Sequence, residues 1–404
     1  MIPTYEDDLF APDALAAPFA HYHAIRELGP VVRLRDPDVY AIPRYDGVRD
    51  ALLASDVLAS GDGIGFNDVI NANRGPNLIA SDGDQHQRMK RAVLGPLRAS
   101  QVGRYRERLK AMIAGRIAGL VNQGPFDAMA RIARYLPTAA ISELVGLPEE
   151  GRASMLDWAN ATFNGMGPMR EGIDGDFALM REARAYMDGL DRTRVREGSW
   201  AANLFDAAAS GRITDAEARG ALSAYVMPSL DTTIYAKGHL LRNLALAPEE
   251  WRRLRSDPAL IPGAVLEGVR HSSVIRWFAR VARADYAVGE HVIPQGARVM
   301  VMYAAANRDE RQYPDPDRFD VTRDARAHLA WGNGPHMCAG MHLARLEMEV
   351  MLEALVETCD TLECGEPEPV MNRTLFGFRD MTFELRGNAR ERQPVEGAAG
   401  LAVP

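Results

Sequence analysis

Trp331-Gly332-Asn333-Gly334-Pro335-His336-Met337-Cys338-Ala339-Gly340 is the stretch on which the reading of this chain turns. Gly332, Gly334 and Pro335 force a tight, non-helical loop. Directly after it, Met341 to Leu355 reads as a long amphipathic helix. Cys338 is thereby placed at a helix N-terminus, where unpaired amides and the positive dipole end favour a thiolate over a thiol. Such a thiolate is a nucleophile or a metal ligand, and a cysteine simply buried in a loop is the plain alternative. Zinc is a middle reading, but only His336 and Cys338 lie close and no partner pair is evident.

The rest of the chain narrows the choice. It has 404 residues, a net charge of -8 and only three cysteines, Cys338, Cys359 and Cys364. An odd, low count excludes a disulfide framework and suits a reducing compartment. The acidic balance argues against nucleic-acid binding, which needs a basic footprint. No apolar run is long enough to span a membrane, and the first residues have neither the basic nor the apolar part of a secretory signal. The expectation is a soluble, cytoplasmic protein. Among 47 basic residues only Lys90, Lys110 and Lys237 are lysines.

The pattern is mainly helical with a minor sheet component. Val31–Leu34 and Val39–Ile42 read as a small hairpin, and Trp277 to Met302 as strands and turns. Thr214-Asp215-Ala216-Glu217 is a capping box opening a helix that runs to about Leu246. Pro228 lies near its middle and should bend or open it. A further helix holds Glu267 and Arg270, three apart and so on one face. No stretch reads as a linker, so residues 1–404 are expected to form one domain, with a loose tail from about 387.

The decapeptide resembles the haem-binding loop of the cytochrome P450 family, Phe-Gly-x-Gly-x-His-x-Cys-x-Gly, with Trp331 in place of the first Phe. Glu267-Gly268-Val269-Arg270 is similar to the family's Glu-x-x-Arg, and Pro316-Asp317-Arg318-Phe319 to its Pro-x-Arg-Phe stretch. Leu230-Asp231-Thr232-Thr233 is similar to its oxygen-activation motif. Order and spacing agree from about Pro30 to Leu385. The resemblance implies a cytochrome P450 fold enclosing haem b, with Cys338 as the iron's thiolate ligand. It implies that Glu267, Arg270 and Arg318 form a structural ion-pair network holding the cysteine loop. Thr232 would hydrogen-bond dioxygen and Asp231 would relay protons for O–O cleavage. His336, Arg280, His86 and Lys90 would meet the haem propionates, Lys90 standing where the family usually has arginine, with Arg88 or Arg91 as substitutes.

One departure is marked. Pro228-Ser229 replaces the small residue and glycine that usually precede x-Asp-Thr. Proline frees the Ala224 carbonyl, and Ser229 adds a hydroxyl.

The resemblance also implies where substrate binds: Phe66, Phe163, Met227, Ser229, Val274, Trp277, Phe278 and Phe376 are the expected pocket residues. Two stretches, 63–68 and 151–164, look similar to bacterial relatives that oxidise para-substituted benzoates. A benzoate needs a basic clamp, yet Asp62 is an acid, and Arg276 is either a clamp in its place or a surface arginine. A small neutral aromatic, such as a methoxy- or alkyl-phenol, is therefore preferred over a benzoate. The expected activity is an NAD(P)H- and O2-dependent monooxygenase, by hydroxylation or O-demethylation. No flavin, nicotinamide or iron–sulfur motif is present, so a ferredoxin and its reductase supply electrons. Arg345 or the helix with Arg104 and Arg106 would offer the ferredoxin a basic face. The alternatives are a terpenoid or other apolar natural product as substrate, or a peroxide-using or non-oxygenase haem protein.

Overall fold

Helices supply most of the structure, a computed structural model that describes residues 1–72 and 75–387. The positions expected to form the loose tail lie outside the described residues from 388 onward. Seven helices frame the site: α1 (Gly83–Leu97), α2 (Arg106–Ala118), α3 (Met155–Asn164), α4 (Ile173–Asp188), α5 (Asp215–Leu246), α6 (Ile261–Ser272) and α7 (Met341–Thr358). No described helix is long and apolar enough to cross a membrane.

At 32 residues, α5 is the axis of the molecule, about 48 Å long at 1.5 Å per residue. The capping box is present: Thr214 Oγ1 accepts from the Glu217 amide at 3.1 Å and Glu217 accepts from the Thr214 amide at 2.9 Å. Apolar residues surround α5 on all sides between Ala218 and Leu244, the pattern of a helix sunk in a core. It packs against α1, α3, α6 and, more lightly, α7. Of the bend or opening expected at Pro228, the opening does not occur: α5 is continuous through it. Surrounding packing holds the backbone helical where an isolated proline helix would break.

A mixed sheet lies to one side. Its strands β1 (Thr4–Tyr5), β2 (Val32–Leu34), β3 (Val39–Ile42), β4 (Leu58–Ala59), β5 (Phe278–Ala282) and β6 (Arg298–Val301) run in the order β1-β2-β3-β6-β5-β4. The hairpin pairs Val32 with Ala41 and Leu34 with Val39. Strand β5 is antiparallel to β6, with Arg280 opposite Val299, and it is buried along most of its length. That placement turns Arg280 and Phe278 toward the cavity described below. The buried apolar residues form one connected cluster from Tyr5 to Leu385.

Candidate active site

Cys338 sits where the loop meets α7. Gly332 and Gly334 have φ of +73° and +69°, a left-handed conformation that glycine adopts at least cost. A Cβ at Gly334 would lie 2.8 Å from the Leu52 carbonyl oxygen, so both conformation and space demand glycine there. The Cys338 amide donates to the Trp331 carbonyl at 2.8 Å, closing the loop. The sulfur accepts from the amides of Gly340 and Met341, and Lys90 adds positive charge. Its depth in the protein outweighs all three and pushes the thiol up, although the side chain itself is exposed to the cavity. The dipole argument from sequence is correct in sign but is overruled by desolvation. A thiolate here needs a cation at the sulfur itself.

That sulfur opens on a deep cavity. One wall is the α7 face with Leu343, Ala344 and Met348; another is the α5 face with Ser229, Thr232, Thr233 and Ala236. Gly340 also lines it, and a Cβ there would meet nothing within 4 Å. Its φ of -87° shows that conformation does not require glycine, so what matters is a flat, open approach to the sulfur. His86, Lys90, Arg280 and His336 line the same cavity. The rings of His86 and His336 are 4.2 Å apart, and His336 Nε2 lies 3.4 Å from Asp82 Oδ1. Lys90 Nζ donates to the Pro335 carbonyl. Burial holds His86 down to about 4, with His336 and Lys90 adding to the effect. A flat apolar slot, one thiol and a cluster of donors fit a haem and its propionates. Cys338 would hold the iron, and Lys90, Arg280, His86 and His336 the carboxylates.

Arg88 and Arg91, offered above as substitutes for Lys90, do neither task. Arg88 pairs with Glu217 at 2.9 Å, and the exposed Arg91 donates back to the Gln87 carbonyl of its own helix.

The two members of the Asp-Thr motif part company. Thr232 lines the cavity and donates to the Pro228 carbonyl at 2.5 Å. Asp231 is absent from the cavity wall among the described residues and turns to Asn160 of α3. Burial pushes its carboxyl up to about 7, against the pull of Asn160, and its Oδ2 has no partner. Asn160 in turn donates to the Tyr235 hydroxyl at 3.1 Å. The Ser229 hydroxyl lines the cavity, but its proton goes to the Tyr225 carbonyl at 2.5 Å.

The structural network differs from expectation in one member. Glu267 and Arg270 are fully buried and bidentate at 2.6 and 2.8 Å. The third member is Arg323, whose Nε lies 3.2 Å from Glu267 Oε1. Arg318 is exposed and reaches only Asp320 at 3.7 Å and Glu250 at 3.9 Å. The chain turns after Phe319, and that turn brings Arg323 inward; no local pattern marks it.

Of the expected pocket residues, Phe163, Met227, Ser229, Val274 and Phe278 line the cavity, and Phe66, Trp277 and Phe376 do not. Phe66 stacks on Trp277 at 4.3 Å, with Phe10 edge-on to both at 6.2 and 5.9 Å. Phe376 packs on Phe19 and His239. Phe66 and Trp277 are core, and Phe376 is half-buried. Arg276 is neither clamp nor surface group: it is buried, donates to the Leu375 and Leu15 carbonyls at 3.0 and 2.6 Å, and covers the Phe376 ring. The basic face is also reduced. Arg106 pairs with Glu349 and Glu353, and Arg345 with Glu349.

Sequence reading missed one pair altogether. Lys237 of α5 and Glu347 of α7 meet at 2.6 Å inside the protein. The available signal was a lysine among apolar neighbours, Ile234-Tyr235-Ala236-Lys237-Gly238, in a chain with so few lysines.

Comparison with known proteins accords with this geometry. The sequence profile described as Cytochrome P450 matches residues 259–385. Cytochrome p450 CYP199A2 of Rhodopseudomonas palustris is 32% identical over 390 residues, covering 95% of each chain. The beta-dihydromenaquinone-9 omega-hydroxylase of Mycobacterium tuberculosis is 32% identical over 368 residues, covering 89% of this chain and 74% of the relative. The crystal structure of CYP108D1 from Novosphingobium aromaticivorans superposes with a TM-score of 0.82 at 26% identity, covering 93% of this chain and 96% of the other. A cysteine-bearing loop, a central helix and paired cavity walls are the marks of a haem-dependent oxygenase. The chain belongs to the cytochrome P450 family and is a P450 monooxygenase.

Proposed function

We propose that this chain uses haem b, dioxygen and electrons from a ferredoxin and its reductase to oxidise a C–H bond of a small, neutral aromatic substrate bearing a hydrogen-bond donor. The observation that carries this reading is the chemistry of the cavity wall. Among the described residues lining it, the basic groups Lys90, Arg280, His86 and His336 are neighbours of the cysteine loop or of one another. The remaining wall is largely apolar, with Phe163, Met166, Met227, Val274 and Phe278. Such a surface favours a compact apolar ligand.

Three hydroxyls on that wall refine the class. Thr162, Ser229 and Thr232 each donate their single proton to a carbonyl four residues earlier, at 2.7, 2.5 and 2.5 Å. A hydroxyl committed in this way presents only lone pairs to the cavity. It accepts a phenol O–H but repels a carboxylate.

Haem, when bound, supplies the chemistry that activates dioxygen for insertion of one oxygen atom. The residues of this chain do the rest. Cys338 anchors the group, and Lys90, Arg280, His86 and His336 orient it. Apolar side chains exclude water and hold the substrate. Asp231, buried beside Asn160 and titrating near neutrality, is the proton-exchanging acid behind the wall that Thr232 lines. The continuous core supports a single domain, and three free cysteines are in keeping with a reducing, cytoplasmic setting.

Two measurements test the reading. The reduced carbon monoxide complex is expected to absorb near ~450 nm, the mark of thiolate ligation. Titration with 4-methoxyphenol is expected to shift the Soret band; a strong shift with 4-methoxybenzoate alone overturns the neutral-substrate reading.

A further inference from the structure

Lys237 has no exposure at all, and Glu347 has 2%. Nζ and Oε2 meet at 2.6 Å. Among the described residues, no other charged group acts appreciably on either one. The two residues sit on the two helices that wall the cavity, although of the pair only Glu347 lines it. Lys237 follows Ala236, a lining residue, and lies five positions after Thr232 on α5. Glu347 itself lines the cavity, nine positions after Cys338 on α7.

Stability alone is a poor reason for such a pair. Taking two charges out of water costs about as much as their attraction returns, and well-packed apolar side chains often do as well. An ion pair does two things that apolar packing does not. It is directional: sliding one helix past the other by a single residue, about 1.5 Å, breaks it. It also cancels charge. A lone carboxylate on the wall of a low-dielectric cavity acts strongly on any redox-active group held there.

We propose that Lys237 and Glu347 are positioning residues for the cofactor. The pair locks α7, and with it Cys338, in register against the helix bearing Thr232, and it neutralises the Glu347 charge at the cavity wall. This rests on the reading of Cys338 as the haem ligand.

The test compares purified holoprotein with Lys237→Met, Glu347→Gln and the double variant, by haem midpoint potential, haem content and the carbon monoxide difference spectrum. Removing Lys237 leaves a negative charge that favours oxidised iron, so the midpoint moves down. Removing the Glu347 charge leaves an ammonium, so the midpoint moves up. Both single variants lose part of the thiolate band, and the double variant recovers the wild-type potential and band. If a single variant retains no haem, recovery of haem by the double variant supports the proposal. Single variants whose potentials move together or not at all overturn it, as does a double variant no better than the worse single one. A wild-type protein lacking the thiolate band fails the haem reading itself, a result distinct from any difference among variants.

Discussion

Asp231 and Glu347 are both carboxylates with almost no exposure, 4% and 2%, carried by two helices that wall the same cavity. Their surroundings are opposite. Glu347 is met by a buried ammonium at 2.6 Å, which satisfies its charge. Asp231 has an amide neighbour, no cation at bonding distance, and one oxygen without a partner. The acids of the cysteine side are thus satisfied, Glu347 by Lys237 reaching across from α5 and Glu267 by Arg270 and Arg323. The long-helix side keeps one acid poised between its two states. Rigidity suits a metal ligand, which must stay in place, and an unsatisfied acid suits a group that must give up and regain a proton.

The largest effect is expected at the rigid side. Cys338→Ser removes the one thiol on the cavity wall, and the thiolate absorption near ~450 nm should vanish while the fold persists; circular dichroism recorded beside the difference spectrum checks both halves.

The comparison is sharpened at the other acid. Because burial raises the Asp231 carboxyl from 3.8 to about 7, the folded chain binds a proton there that the unfolded chain does not. The wild-type contribution is therefore most favourable below about pH 4 and is lost as pH rises through about 7. Three units correspond to at most roughly 4 kcal/mol. Asp231→Asn should flatten this part of the stability–pH curve, measured by urea unfolding between those limits. An unchanged slope would mean that Asp231 is solvated and is not the proton carrier.

Arg323→Ala breaks the buried network at one edge and should cost about 1–3 kcal/mol, the range for a charged partner left unsatisfied. Arg318→Ala should stay within about 0.5 kcal/mol, as for exposed pairs. Equal losses would restore Arg318 to the network. Thermal unfolding with and without haem separates the two.

Much of this was legible in the residues. The loop, the capping box, the Glu267–Arg270 pair and the length of α5 follow from local rules, because glycine dihedrals, cap geometry and helical spacing are properties of a few consecutive positions. The pocket was legible only in part. Phe163 and Phe66 look alike in sequence, yet one lines the cavity and the other stacks on Trp277. An aromatic ring is equally at home in a core or on a pocket wall, and only the neighbours it meets decide which.

The sequence by itself determined the class of protein, the cysteine loop that opens on the cavity and the long helix that faces it. Tertiary structure alone decided that Arg323 and not Arg318 closes the network, that Arg276 is tied to carbonyls, and that Lys237 finds Glu347. Each of those outcomes depends on partners dozens of positions apart. A long, flexible charged side chain goes where the fold leaves a counter-charge or a carbonyl unsatisfied, and no local pattern of residues records where that will be.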